Sequence, residues 1–148
     1  MEPYRWSLRV TSRDPDRATV FARKHQFFVG APLSVDEQYP AVTALEYALA
    51  AVAGELVNGL KGEAKRRRIG VGSVEATLQA SLEDVLAALG VVGATGQAVL
   101  QEVRIKVFAQ STGPSEEVRQ LWDGLLERLP LTRTLRSAMK LEITLEVL

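Results

Sequence analysis

Glu55 stands where a single side chain could carry chemistry. It interrupts a stripe of small residues, Ala44, Ala48, Ala51, Gly59 and Gly62. Beside that stripe Leu45, Leu49, Val52, Leu56 and Leu60 recur in steps of three and four, which predicts an amphipathic helix. A carboxylate at this point reads two ways. It reaches solvent or pairs with an arginine, or it lines a pocket as a polar ligand group or an acid–base. Glu46, the other acid of the segment, falls about 180° from Glu55 around an ideal helix, so the two are not a carboxylate pair on one face. With Thr43 as N-cap, Glu46 reads instead as the far half of a capping box.

Other chemistries find little support. The chain has no cysteine, so it holds no disulfide, thiol nucleophile or thiolate metal site, and its one histidine, His25, cannot build a two-histidine centre within one subunit. No serine sits in a nucleophile elbow. Gly90, Gly93 and Gly96 lack the Lys-Ser/Thr of a phosphate loop and the spacing of a dinucleotide fingerprint, and read as a flexible flap. Lys65–Arg68 reads as a solvated helix end whose cations oppose the helix dipole. No metal and no cofactor are expected.

The elements that must position these residues follow from pattern. Tyr4, Trp6, Leu8 and Val10 alternate with polar residues, which predicts a strand over Tyr4–Thr11. Ser12–Asp16 is turn chemistry, and Ala18–Arg23 and His25–Val29 complete an antiparallel meander. The helix is predicted from Thr43 to about Arg68, with Gly70 as its stop. Val71–Leu82 and Val99–Phe108 read as strands, with one or two helical turns at Glu83–Leu89 and a loop over Gly90–Gln97. Gly113-Pro114 opens a second helix that buries Val118, Leu121, Trp122, Leu125 and Leu129 and stops at Pro130. Leu141–Val147 alternates as a final strand. The fold class is therefore α+β with a largely antiparallel sheet. The small stripe suits a seam where a second helix packs closely, within the chain or across a twofold axis.

With 148 residues, 47% hydrophobic and 24% charged, the chain suits one domain over 1–148. Equal numbers of acidic and basic residues argue against nucleic acid as the main partner. The longest apolar run, Ala48–Val57, is broken by Gly54 and Glu55 and is too short to cross a membrane. No targeting segment is recognisable, and a soluble, cytoplasmic protein is expected.

Two segments carry a family resemblance. Thr43–Leu56, T-A-L-E-Y-A-L-A-A-V-A-G-E-L, resembles the central-helix motif of the OsmC and organic hydroperoxide resistance (Ohr) family, roughly T-P-L-E-L-L-L-A-A-L-A-G-C-L. Glu127–Arg136, E-R-L-P-L-T-R-T-L-R, is similar to that family's E-R-C-P-V-S-R-T-L-R. The resemblance covers essentially the whole chain. It implies an intertwined homodimer with two central helices packed together and wrapped by sheet from both chains. It also implies thiol-based hydroperoxide reduction, in which one cysteine attacks the peroxide and a second resolves the sulfenic acid.

Carried over by position, the reactive cysteine falls on Glu55 and the resolving cysteine on Leu129. The motif proline falls on Ala44, and the motif glutamate is retained as Glu46. The hydroperoxide-specific branch has its glutamate where this chain has Leu45, and an arginine in the hairpin region where Arg13 and Arg17 lie. No residue here can become a sulfenic acid, so thiol peroxidase activity is not expected. The expected pocket residues are Glu46, Glu55, Leu129, Arg133 and Arg136, with the two arginines as candidate partners of Glu55. The resulting expectation is a redox-inactive homodimer that binds a small, mainly apolar molecule at its interface. The alternatives are an acid–base enzyme using Glu55 and a purely structural or partner-binding dimer.

Overall fold

The computed structural model describes residues 1–148, which form two compact units, Met1–Ala50 and Ala51–Leu148. In the first, β1 (Arg9–Asp14), β2 (Arg17–Ala22) and β3 (His25–Val29) form the antiparallel meander that the alternation requires. Pro15 and Asp16 make the first turn, and the Asp16 N–H donates to the Asp14 carboxylate at 3.0 Å. Arg23, with φ 54°, takes the left-handed conformation that the second turn needs.

The first strand begins later than its alternation suggests. Arg9 pairs with Phe21, and β2 turns back just beyond, at Ala22. Residues 1–8 therefore run past the end of their hairpin and form no strand, and β1 continues instead to Asp14 through a bulge. A strand needs a hydrogen-bonded neighbour as well as a pattern. Tyr4 and Trp6, 77% and 80% exposed, meet each other edge to face, with ring centroids 4.6 Å apart.

After β3 the chain folds over Tyr39. The Ala31 N–H donates to the Tyr39 hydroxyl at 2.7 Å, and the Gly30 N–H to the Val42 carbonyl at 2.9 Å. A Cβ at Gly30 would lie 2.6 Å from the Tyr39 oxygen, so this close approach requires glycine. It delivers Thr43 to the start of α1 (Ala44–Arg67). The expected capping box is present. The Thr43 N–H and hydroxyl donate to Glu46 at 3.0 and 2.9 Å, and the Glu46 N–H donates back to the Thr43 hydroxyl at 3.1 Å. Helix α1 stops at Arg68, with φ 58°, two residues before the glycine expected to end it; the Ile69 N–H closes the last turn on the Ala64 carbonyl at 2.9 Å.

In the second unit β4 (Val71–Leu82), β5 (Leu100–Ser111) and β6 (Lys140–Val147) form a sheet in the order β4-β5-β6. The β4–β5 pair is antiparallel and the β5–β6 pair parallel. The parallel pair arises because two helices, α3 (Ser115–Leu126) and α4 (Pro130–Ala138), carry the chain back before β6 begins. Inward residues of β5 (Val103, Ile105, Val107, Ala109) join Val52, Leu56, Leu60 and Ala64 of α1 as the buried core. Helix α3 (Ser115–Leu126) adds Val118, Leu121, Trp122 and Leu125.

One short helix, α2 (Val85–Ala88), stands between β4 and β5, capped by Asp84. Asp84 also accepts from the Gly96 N–H at 3.0 Å, which ties down the glycine-bearing loop, and these backbone donors hold its carboxyl below the usual range. Pro130 does more than stop a helix. It occupies the first turn of α4 (Pro130–Ala138), where its missing N–H costs nothing. No helix is long and apolar enough to cross a membrane.

Candidate functional site

Glu55, Gly59 and Glu63 follow one another at four-residue spacing and so share one face of α1. The corner between α3 and α4 runs along that face. At one end the Leu131 N–H donates to Glu55 Oε2 at 2.8 Å, and the Thr132 N–H and hydroxyl donate to Oε1 at 2.8 and 2.7 Å. These two N–H groups are orphan donors of the first turn of α4, whose N-cap residue, Leu129, offers no side-chain acceptor. Glu55 therefore caps α4 from 76 residues away in sequence, and its charge faces the positive end of that helix.

In the middle, the Leu129 side chain rests on Gly59. A Cβ there would lie 2.9 Å from Leu129 Cδ2, so glycine is what lets the corner approach. At the far end Glu63, only 7% exposed, accepts from Arg66 at Nε and Nη2 and from Arg67 Nε at 2.6 Å, and forms an ion pair with Arg128, whose Nη2 lies 2.9 Å away. The Arg66 hydrogen bonds, helped by Arg67 and Arg128 and opposed by burial, bring its carboxyl down to about 2. The stabilisation is complete above the ordinary glutamate range and is lost as pH falls through about 2.

The five expected pocket residues are thus distributed as follows. Glu55 and Leu129 meet the same corner of the chain. The partners of Glu55 are Leu131 and Thr132, not the arginines. Arg133 turns to Glu127, with Nη1 3.3 Å from the Glu127 carbonyl and 3.3 Å from its carboxylate. Arg136 lies exposed in the last turn of α4. Glu46 completes the capping box, which holds its carboxyl below the usual range, and lines a concavity of about 230 Å³ with Ser34, Asp36 and Tyr39. Of the hairpin arginines, Arg13 is exposed. Arg17 stacks on the Phe28 ring at 3.7 Å and lies 3.4 Å from Asp14, beside an open concavity of about 750 Å³. His25 is exposed at the start of β3.

Pattern reading missed Thr132, Glu63 and Arg128. Thr132 is fully buried, and its hydroxyl is spent on Glu55. The available signal was the four-residue spacing of Glu55, Gly59 and Glu63, which marks one helix face for a single neighbour. Chemically, both Glu55 oxygens are occupied by fixed donors. The arrangement orders a helix with three of the carboxylate's four lone-pair positions filled, leaving one open on Oε2.

Comparison with known proteins agrees with this architecture. A family model described as OsmC-like protein matches residues 36–144. An OsmC-like protein from Mycoplasma pneumoniae superposes with a TM-score of 0.77 at 15% identity, covering 99% of each chain. An OsmC-like protein of unknown function from Vibrio cholerae gives 0.70 at 13% identity over 99% of this chain and 100% of the other. An organic hydroperoxide resistance protein OsmC from Legionella pneumophila gives 0.64 at 14% identity, again covering 99% of each. No curated protein matches the sequence.

Proposed function

The chain belongs to the OsmC-like protein family, and from that premise we propose that it is a redox-inactive member acting as a homodimer that binds a small, mainly apolar molecule. The family includes proteins named for organic hydroperoxide resistance, which gives the context of oxidative stress. The carrying observation is the role of Glu55. At the position matching the family's reactive cysteine stands a carboxylate that accepts three hydrogen bonds from the start of α4. A carboxylate cannot cycle through a sulfenic acid, and the chain contains no thiol to replace it. The same geometry weighs against the acid–base alternative, because three of the four lone-pair positions a general base would offer are already held by fixed donors.

Two features support a second copy as partner. Residues 1–8 carry an apolar alternation that their own hairpin does not cover, with Trp6 80% exposed. Ala44, Ala48 and Ala51 of the small stripe are exposed along α1, an apolar surface that a second helix would bury. The ligand reading draws support from the first unit, where Phe27 and Tyr47 lie with ring centroids 5.3 Å apart and Phe27 remains partly open. The seating of Leu129 on Gly59 favours the structural-dimer alternative, since it fills the space over α1 one turn from Glu55. In this reading the chain acts as one domain over 1–148, in the cytoplasm, without metal, cofactor or nucleic acid.

Native mass spectrometry of freshly purified protein tests the proposal. The expected species is about twice the 16.2 kDa chain mass with a reproducible small adduct that extracts into organic solvent on denaturation. An adduct-free dimer that also takes up no apolar fluorophore would leave the structural dimer in place of the binding protein. A stably folded monomer would overturn the dimer itself.

A further inference from the structure

The basic end of α1 is more than a solvated helix terminus. Arg66 and Arg67 fold back onto Glu63, and Arg128 reaches the same carboxylate from the α3–α4 corner. Three guanidinium groups thus converge on one acid, leaving two positive charges uncompensated at that point. The C-terminal dipole of α1 offsets about half a charge, so a surplus of about 1.5 remains. Glu63 is buried, whereas Arg66, Arg67 and Arg128 are 63%, 45% and 52% exposed.

The donors are unevenly used. Arg66 places Nε and Nη2 on Glu63, but Arg67 commits only Nε and Arg128 only Nη2. Both Nη groups of Arg67, and Nε and Nη1 of Arg128, make no further hydrogen bond, and both side chains are about half exposed. Glu63 fixes these planar groups in place and remains ionised at any physiological pH, its carboxyl lying at about 2. Planar, preorganised forks with spare donors match the oxygens of a tetrahedral oxyanion, and a dianion would neutralise the surplus charge.

We propose that Arg66, Arg67 and Arg128, organised by Glu63, form a binding site for a phosphate-class dianion. Glu63 is the positioning residue, and the spare donors of Arg67 and Arg128 make the ligand contacts. The site stands apart from Glu55 and does not depend on the redox or apolar-ligand reading.

Isothermal titration of the full chain with inorganic phosphate, at constant ionic strength set by sodium chloride, tests this. Saturable binding is expected, and it should weaken as total salt rises. Arg67→Ala should weaken it about tenfold or more, the scale of a charge-assisted hydrogen bond. Arg67→Lys, which keeps the charge and loses the fork, should give an intermediate loss. Arg119→Ala, at an exposed pair with Glu116 on α3, should leave binding unchanged. A parallel titration with glycerol 3-phosphate distinguishes the source. Tighter binding than phosphate points to a phosphomonoester metabolite, and equal binding to the free ion. A response no different from chloride, or an Arg67→Ala protein that binds like the wild type, overturns the proposal.

Discussion

Glu55→Ala should lower the unfolding free energy by about 3 kcal/mol, the combined scale of a lost helix cap and of hydrogen bonds to a charged acceptor. For a domain of this length that corresponds to a fall of about 10 °C in Tm. The loss has three parts. The Leu131 and Thr132 N–H groups become orphan donors in the first turn of α4, and the buried Thr132 hydroxyl loses its acceptor. The charge facing the helix dipole also disappears. Glu55→Gln keeps one carbonyl oxygen for Thr132 but turns an amide N–H₂ toward the Leu131 N–H. It should lose about half as much, since both Thr132 donors stay satisfied while the Leu131 N–H and the charge are lost. Thermal unfolding followed by circular dichroism reads both variants. A Glu55 that merely reached solvent would give shifts within about 0.5 kcal/mol for either, the range of ordinary surface substitutions.

Ala51→Arg should abolish the proposed dimer. Ala51 is exposed within the chain, so a long charged side chain there costs the isolated fold little. Between two closely packed helices the same side chain prevents approach and buries an unpaired charge, which costs about 3 kcal/mol or more, over a hundredfold in association. Light scattering should report about twice the 16.2 kDa chain mass for the wild type and the single-chain mass for the variant. If the chain folds only as a dimer, the variant should instead unfold at a temperature that rises with protein concentration. A variant dimer as tight as the wild type would remove α1 from the interface.

Local pattern made much of this fold legible. Thr43 and Glu46 announced the start of α1, and the steps from Leu45 to Leu60 gave its buried side, because capping and amphipathicity are written within a few residues. The alternation of Val103, Ile105 and Val107 did the same for β5. What escaped depended on partners distant in sequence. The strand expected at Tyr4–Thr11 had the right pattern, but β2 turns back one residue past the partner of Arg9, so its first residues have no neighbour. Pro130 carries one meaning as the end of a helix and another as the first residue of the next, and only the path of the chain decides between them. The parallel β5–β6 pair follows from the return route through α3 and α4.

The candidate site divides the same way. Composition and position singled out Glu55, since a carboxylate in a stripe of alanine and glycine is conspicuous. Its partners could not be read, because backbone N–H groups carry no sequence signature and arginine is the conventional guess. Thr132 looks unremarkable in sequence and is the most deeply committed polar residue of the corner. Glu63 was masked by the basic run that follows it, although that run and Arg128 are what hold it charged.

The most direct test of the central claim is consumption of an organic hydroperoxide by the purified protein with a dithiol or lipoyl reductant. With Glu55 capping α4 and no thiol in the chain, the rate should equal that of a blank without protein at every protein concentration. Turnover that scales with protein concentration, and persists after repurification, would contradict the account.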